Sequence, residues 1–233
     1  MLVGHYSTAL IAHQKFPKGT LIYFLIVSQL QDLLWFVLHY LGLEQTGPED
    51  VFNTTLSNMT VDMLYSHDLI PLIAWLVIIF LIGYFLFKSS KVGLIGSALV
   101  LGHFLLDFFS GHPHHVFGEQ TQDIGLGLYA SNIYLAIGIE AVTCIAVLWY
   151  FFRQEAVDGI QRTAKNKWSI IGLFVFGIVF MLSIATTSFR DLLNLPEFDL
   201  GFNTSVPTLL VTYSAMIAYL NYFIPRFEVR KQV

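Results

Sequence analysis

Six apolar stretches, each of about the twenty residues that a helix needs to cross a bilayer, constrain this chain more than any other feature. They run over residues 20–43, 67–87, 92–110, 131–152, 168–189 and 206–224. Such a pattern belongs to a polytopic membrane protein rather than a soluble domain, and the mean hydropathy of +0.66 agrees with it. The spans take up nearly all of the 233 residues. No internal repeat, low-complexity segment or linker divides the remainder. The predicted fold is therefore all-α: one integral membrane domain over residues 1–233, a helical bundle of about six transmembrane helices. Residues 1–13 are apolar but too short to span. They are predicted as a short N-terminal half-helix that folds into the bundle. No basic region precedes them, so they do not read as a standard signal peptide.

Lysine and arginine set the orientation. With six spans and both termini on the cytoplasmic side, that side receives Lys15, Lys18, Lys88, Lys91, Arg153, Arg162, Lys165, Lys167, Arg226, Arg230 and Lys231, and only Arg190 falls outside. Eleven of the twelve basic residues on one side is a strong positive-inside signal. The loops at 44–65 and 111–130 contain no Lys or Arg and then face outward. A net charge of −4 and the absence of a large basic patch exclude nucleic acid as a partner. Cys144 is the only cysteine, which leaves no disulfide or thiolate metal site within one chain.

Against this background residues 103–115 stand out: His103-Phe-Leu-Leu-Asp107-Phe-Phe-Ser-Gly-His112-Pro-His114-His115. Four of the chain's eight histidines fall in these thirteen residues. His103 and Asp107 are four apart and stack on one helix face, where both can reach one metal ion. Asp107 has no basic neighbour in sequence, and a bare carboxylate in hydrocarbon is costly. Gly111 and Pro113 then break the helix and set further imidazoles just beyond it.

Other polar residues share that level. At a rise of about 1.5 Å per residue, His103 stands roughly 18 Å and Asp107 roughly 24 Å above Lys91; Asp32 stands roughly 21 Å above Lys18, Glu140 roughly 20 Å above Arg153 and His5 roughly 15 Å above Lys15. His67 opens the second span at the outer surface. Each has a structural explanation when taken singly: a helix start for His67, a seam residue for Glu140, a bond to Gln29 for Asp32. Their coincidence in depth is what those explanations leave out, and ionisable residues inside a membrane mark functional sites by default. The candidate metal ligands are His5, Asp32, His67, His103, Asp107 and His112, with His114, Glu119 and Glu140 in reserve. Imidazoles and carboxylates without thiolates suit zinc, and also manganese or iron. Six ligands exceed one tetrahedral site, so two or more divalent ions are expected. A pair about 3.5–4 Å apart activates water and stabilises a phosphoryl displacement.

Gly4-His5-Tyr6, Gln31-Asp32-Leu33-Leu34-Trp35, Tyr65-Ser66-His67-Asp68-Leu69, His103-Phe-Leu-Leu-Asp107, Gly111-His112-Pro113 and Gly125-Leu-Gly-Leu128 resemble a bacterial group of small membrane proteins described as membrane-bound metal-dependent hydrolases. The resemblance covers about residues 1–135. It implies a bacterial inner (plasma) membrane and a hydrolase active site. Two positions depart from the group's pattern: Asp68 stands where Ser usually follows Ser-His, and Asn132 comes later than the Asn expected near Tyr129. The order His5, Asp32, His67, His103, Asp107, His112 also resembles that of the zinc-dependent phospholipase C and single-strand nuclease superfamily. For its later His-x-x-x-Glu helix, Glu140 is taken as the nearest substitute, with Ala136 four residues before it.

The reading that follows is a metal-dependent hydrolase of a phosphoester at the outer leaflet, with a membrane lipid as both environment and substrate. His114 would stabilise the phosphate, and Asp68 or Glu119 would relay a proton. A transporter or metal-ion carrier would use the same His and Asp residues as a pathway. Against that stand the missing inverted repeat and the apolar cytoplasmic halves of the spans. A structural membrane protein stapled by metal is the third possibility. Headgroup and oligomeric state are not legible from the chain.

Overall fold

The computed structural model describes residues 2–17, 20–197 and 201–229. Its helices are α1 (Gly4–Lys15), α2 (Leu21–Ser28), α3 (Leu30–Tyr40), α4 (Leu69–Phe87), α5 (Ser90–Ser110), α6 (Leu128–Ser131), α7 (Ile133–Val157), α8 (Ala164–Ser183), α9 (Phe189–Leu193) and α10 (Ser205–Phe223). Among the described residues, strand structure is limited to two-residue antiparallel pairs: Thr46–Gly47 with Thr60–Val61, His114–His115 with Asp123–Ile124, and Ile160–Gln161 with Glu228–Val229. The protein is all-α, as its apolar runs predict.

Length and composition select α4, α5, α7 and α8 as able to cross a membrane, and α2 with α3 adds a fifth span if the bent pair counts as one. The expected first span, 20–43, is therefore not one rod. It is bent by 64° between α2 and α3. At the break Ser28 Oγ donates to the Leu25 carbonyl at 3.0 Å, the kind of hydroxyl back-bond that bends helices. The sixth stretch forms α10, 19 residues long. Thr208, Thr212, Tyr213, Ser214, Tyr219, Asn221 and Tyr222 make it too polar to pass on composition alone.

The outer surface of the helices is apolar, unlike that of a soluble protein. On α4 only Leu72, Ile79 and Gly83 are buried, while Ile73, Val77, Leu81 and Phe85 face outward. Val142, Ile145 and Trp149 of α7 are likewise exposed. The buried set, by contrast, includes His5, Asp32, His67, His103, Asp107 and Glu140. Small residues let the helices close: a Cβ on Gly83 would stand 2.8 Å from the Gly93 Cα and 2.6 Å from the Tyr23 hydroxyl. That hydroxyl donates to the Ile79 carbonyl at 3.1 Å, so α2, α4 and α5 meet at one small-residue seam.

The half-helix expected over 1–13 is α1, and it is threaded into the bundle. The first amides of a helix lack intrahelical partners, and those of Val3 and Gly4 donate to Glu140 Oε1 of α7 at 2.6 and 2.9 Å. Tyr6 Oη donates to the Tyr213 carbonyl at 3.0 Å. Lower down, Gln14 Nε2 donates to the Phe151 carbonyl at 2.8 Å. The loops at 44–65 and 111–130 share one end of the bundle, hereafter the loop end. Lys15, Lys88, Lys91, Arg153, Arg162, Lys165, Lys167 and Arg226 lie at the far end and Arg190 at the loop end. Lys18, Arg230 and Lys231 lie outside the described residues.

Candidate metal centre

Interruptions in helical structure near the loop end assemble the site. The bend between α2 and α3 puts Asp32 in the first turn of α3, where the helix dipole favours an anion. It also exposes the C-terminal carbonyls of α2, which have no helical partners. One of them, Ser28 O, lies 2.8 Å from His103 Nδ1. A carbonyl only accepts, so Nδ1 carries the proton and, in the neutral ring, Nε2 presents a lone pair. Helix α5 ends one turn after Asp107, and Gly111 lets the chain fold back over it: a Cβ there would meet the Asp107 carbonyl at 2.9 Å. His67 sits in the turn before α4.

Five of the six predicted ligands converge. His103 Nε2 lies 3.2 Å from Asp107 Oδ2 and 3.9 Å from Asp32 Oδ1. His67 Nε2 lies 3.5 Å from Asp32 Oδ1 and 4.0 Å from Asp107 Oδ2. His5 Nε2 lies 3.3 Å from Asp107 Oδ1, and its ring stacks on His103 with centroids 3.6 Å apart. Two overlapping triads, His5–His103–Asp107 and Asp32–His67–His103, bring their ligand atoms within 4.8 Å of one another, and either could hold a metal ion.

His67 is oriented by a relay that the sequence does not advertise. Glu44 Oε1 accepts from the amides of Tyr65 and Ser66 at 2.7 and 2.8 Å, and Glu44 Oε2 accepts from Ser66 Oγ at 2.9 Å. Ser66 Oγ in turn lies 2.7 Å from His67 Nδ1. With its own proton given to Glu44, the hydroxyl accepts from Nδ1–H, and Nε2 turns its lone pair inward. Such supporting partners fix the tautomer of a metal-binding imidazole. Burial raises the Glu44 carboxyl, against the pull of the Ser66 and Tyr65 donors.

The residues present fit a divalent cation. Both ring nitrogens of His5, His103 Nε2 and Asp32 Oδ2 are buried without a hydrogen-bond partner, although buried polar atoms normally have one. Where those ring nitrogens are unprotonated, their lone pairs and the carboxylate oxygens at 3–4 Å repel unless positive charge lies among them. Two aspartates and three neutral imidazoles carry a charge that one divalent ion cancels, which also offsets the cost of carboxylates in an apolar interior. Because Nδ1 is committed to Ser28, His103 serves only one ion. Filling both triads needs another donor, and His112 Nε2, buried, unpartnered and in a residue that lines the same cavity as Asp32, His67 and Asp107, is a candidate.

The remaining predicted residues fall in different places. His112 and His114 line a cavity of about 130 Å³ that also reaches Asp32, His67, Asp107 and Tyr129. His112 meets Tyr129 edge-on, and His114 stacks on His67 and Phe104. Burial pushes their imidazoles down, His112 to about 4 and His114 to about 3, so both are neutral near pH 7. Asp68 is outside the group: its oxygens accept from the His115 and Gly118 amides at 2.9 and 2.6 Å, tying down the 111–130 loop. Glu119 is exposed and does not line the cavity. Glu140 Oε1 anchors α1, while its Oε2 is unpartnered. Comparison with family models, with curated proteins and with solved structures gives no match for this chain. The centre is interpreted on its own geometry.

Proposed function

We propose that the protein is a membrane-embedded, metal-dependent hydrolase of a phosphoester, with a lipid phosphodiester as the substrate class. The observation that carries this reading is the convergence of three imidazoles and two carboxylates, with both His5 nitrogens, His103 Nε2 and Asp32 Oδ2 unpartnered, beside a cavity that Asp32, His67 and Asp107 line. His5, His67 and His103 would hold a divalent ion, zinc by its donor set, with Asp32 and Asp107 beside them and His112 as the extra donor for a second ion. Bound there, the ion would lower the pKa of a water and draw charge from a phosphoryl oxygen. The chain's own contribution is positioning and phosphate contact. Glu44–Ser66 and the Ser28 carbonyl hold two imidazoles in register. His114, neutral and with both nitrogens unpartnered, faces the cavity and would donate a ring N–H to a phosphoryl oxygen, the stabilising role expected of it. The proton relay expected of Asp68 or Glu119 has less support, because Asp68 is occupied by amides and Glu119 does not line the cavity.

The same proposal places α2–α3 and α10 in the membrane as the first and last of six spans. It puts both termini in the cytoplasm and the centre toward the outer face of a bacterial inner membrane. Its support is the gathering of basic residues at the far end, which the positive-inside rule assigns to the cytoplasm. A carrier reading has less support, because among the described residues the far end is closed by the buried Glu155–Arg162 pair, 2.6 Å apart. The test is elemental analysis of the purified protein together with hydrolysis of a phosphodiester. Stoichiometric metal and turnover, both lost in His103→Ala, are expected. Metal without turnover would leave only a staple; folded parent protein that binds no divalent metal, even when it is supplied, would end the proposal.

A further inference from the structure

Resting on that hydrolase reading, we infer that the phosphate-bearing substrate enters sideways from the bilayer, with its aliphatic chain seated between the loop-end halves of α8 and α10. The cavity has one polar end, the His/Asp floor. Its walls are mainly apolar: Leu56 and Met59 from the 44–65 loop, Met181 from α8, Ile184 just after it, and Leu209 from α10. A space with a charged floor and apolar walls matches an amphiphile and suits a free phosphate or a sugar phosphate poorly. Methionine walls adapt to a chain of irregular shape. About 130 Å³ accommodates a phosphate and the first carbons, so the rest of the chain stays between the helices.

The route is set by where α8 and α10 are joined. Their hydrogen bonds lie at the far end: Tyr219 Oη donates to the Ser169 carbonyl at 3.0 Å, and Asn166 Nδ2 to the Phe223 carbonyl at 2.9 Å. Toward the loop end the two helices line the cavity instead, and Thr208 on its rim is exposed. The Thr212 hydroxyl there donates to the Thr208 carbonyl at 2.8 Å, so it needs nothing from a lipid neighbour. Above, the 44–65 loop is strapped across as a roof. Leu56 and Ser57 amides donate to the Ile184 and Ala185 carbonyls at 2.9 and 3.1 Å, and Thr204 and Ser205 amides to the Glu49 carbonyl at 2.8 and 3.0 Å. Arg190 adds an ion pair to Asp50 at 2.6 Å. With the aqueous side roofed, the gap between the helices is the way in.

Binding and turnover test this separately. A protein retaining Trp35, which lines the cavity, as its only tryptophan is placed in phosphatidylethanolamine–phosphatidylglycerol vesicles with brominated acyl chains. Trp35 fluorescence should be quenched. The Leu209→Phe/Thr212→Phe variant, which fills the gap, should lose that quenching, while Thr212→Val, which keeps its size, should retain it. Equal quenching in all three would overturn the inference whether or not the protein is a hydrolase. In turnover, the ratio of vesicle-lipid to bis(p-nitrophenyl) phosphate hydrolysis should fall roughly fifteenfold in the double variant, if two methylenes lose their place at about fourfold each. An equal fall on both substrates would mean that the centre itself was disturbed and that no chain site exists there. Absence of hydrolysis in the parent would end the hydrolase reading and leave the quenching result to decide the chain site.

Discussion

Two buried polar clusters sit at opposite ends of this bundle, and they differ in how completely they are satisfied. At the far end Arg162 donates to both Glu155 oxygens at 2.6 and 2.8 Å, to Asn166 Oδ1 at 2.8 Å and to the Ile224 carbonyl at 2.9 Å. Asn166 Nδ2 completes it on the Phe223 carbonyl. Donors face acceptors throughout, and the cluster clasps the α7–α8 turn to the end of α10. At the loop end lone pairs face carboxylates, and His5, Asp32 and His103 keep unpartnered atoms. A cluster that only holds helices together closes its hydrogen bonds, because unmade ones are expensive in a low dielectric. A cluster that leaves them open and convergent is shaped for something else to fill.

The largest effect should come from Asp107→Asn, which keeps shape and removes charge. At the loop end we expect metal affinity to fall by more than about 100-fold, beyond the loss typical of a supporting partner, and phosphodiester hydrolysis to vanish, with insertion intact. Unchanged metal content by elemental analysis would erase the contrast between the clusters. Arg162→Ala should do the reverse. Leaving Glu155 buried alone costs about 3–5 kcal/mol, read as an earlier unfolding midpoint, while metal per folded protein stays the same. Arg162→Met with Glu155→Leu should recover most of that stability. If the double variant also lost metal, the two ends would not be independent.

The sequence carried the contrast unevenly. His103 and Asp107 were legible because helical spacing puts positions four apart on one face, and the apolar runs of α4, α5, α7 and α8 speak for themselves. Asp32 could be placed by height alone, yet nothing local told that α2 and α3 part at Gln29. That break depends on a hydroxyl back-bond and on His103, 75 residues away, taking the Ser28 carbonyl. Glu44 looked like one more acid in a polar loop; its partner Ser66 is 22 residues on. Asp68 and Glu119 are carboxylates that the sequence offers as proton relays, but it does not say which way a carboxylate turns: Asp68 accepts from the His115 and Gly118 amides.

A smaller effect belongs to Ser66→Ala. It cuts the relay between Glu44 and His67 while leaving all five converging groups in place. Metal affinity should drop about 10- to 100-fold, with turnover restored at saturating metal. No change in the metal titration would mean that His67 is held by packing on His114 alone.

Glu140 separates the two kinds of buried carboxylate most finely, because it lies beside the open cluster yet is bonded like the closed one. Its Oε1 accepts from the Val3 and Gly4 amides at 2.6 and 2.9 Å, and those bonds hold α1 at the depth where His5 stacks on His103. Glu140→Gln retains an oxygen for both amides and should change metal affinity only a few-fold. Glu140→Ala leaves two buried donors unpaired, at about 1–3 kcal/mol each, and loosens the start of α1, so His5 is held less firmly and both stability and metal affinity decline. A metal ligand would behave differently. The amide would then fail as badly as alanine, since Asn and Gln bind a divalent cation far more weakly than a carboxylate. Metal titration and unfolding of the two variants side by side decide it: Gln close to the parent and Ala weakened assigns Glu140 to α1, whereas Gln and Ala equally stripped of metal would bring Oε2 into the centre and make six converging groups of five.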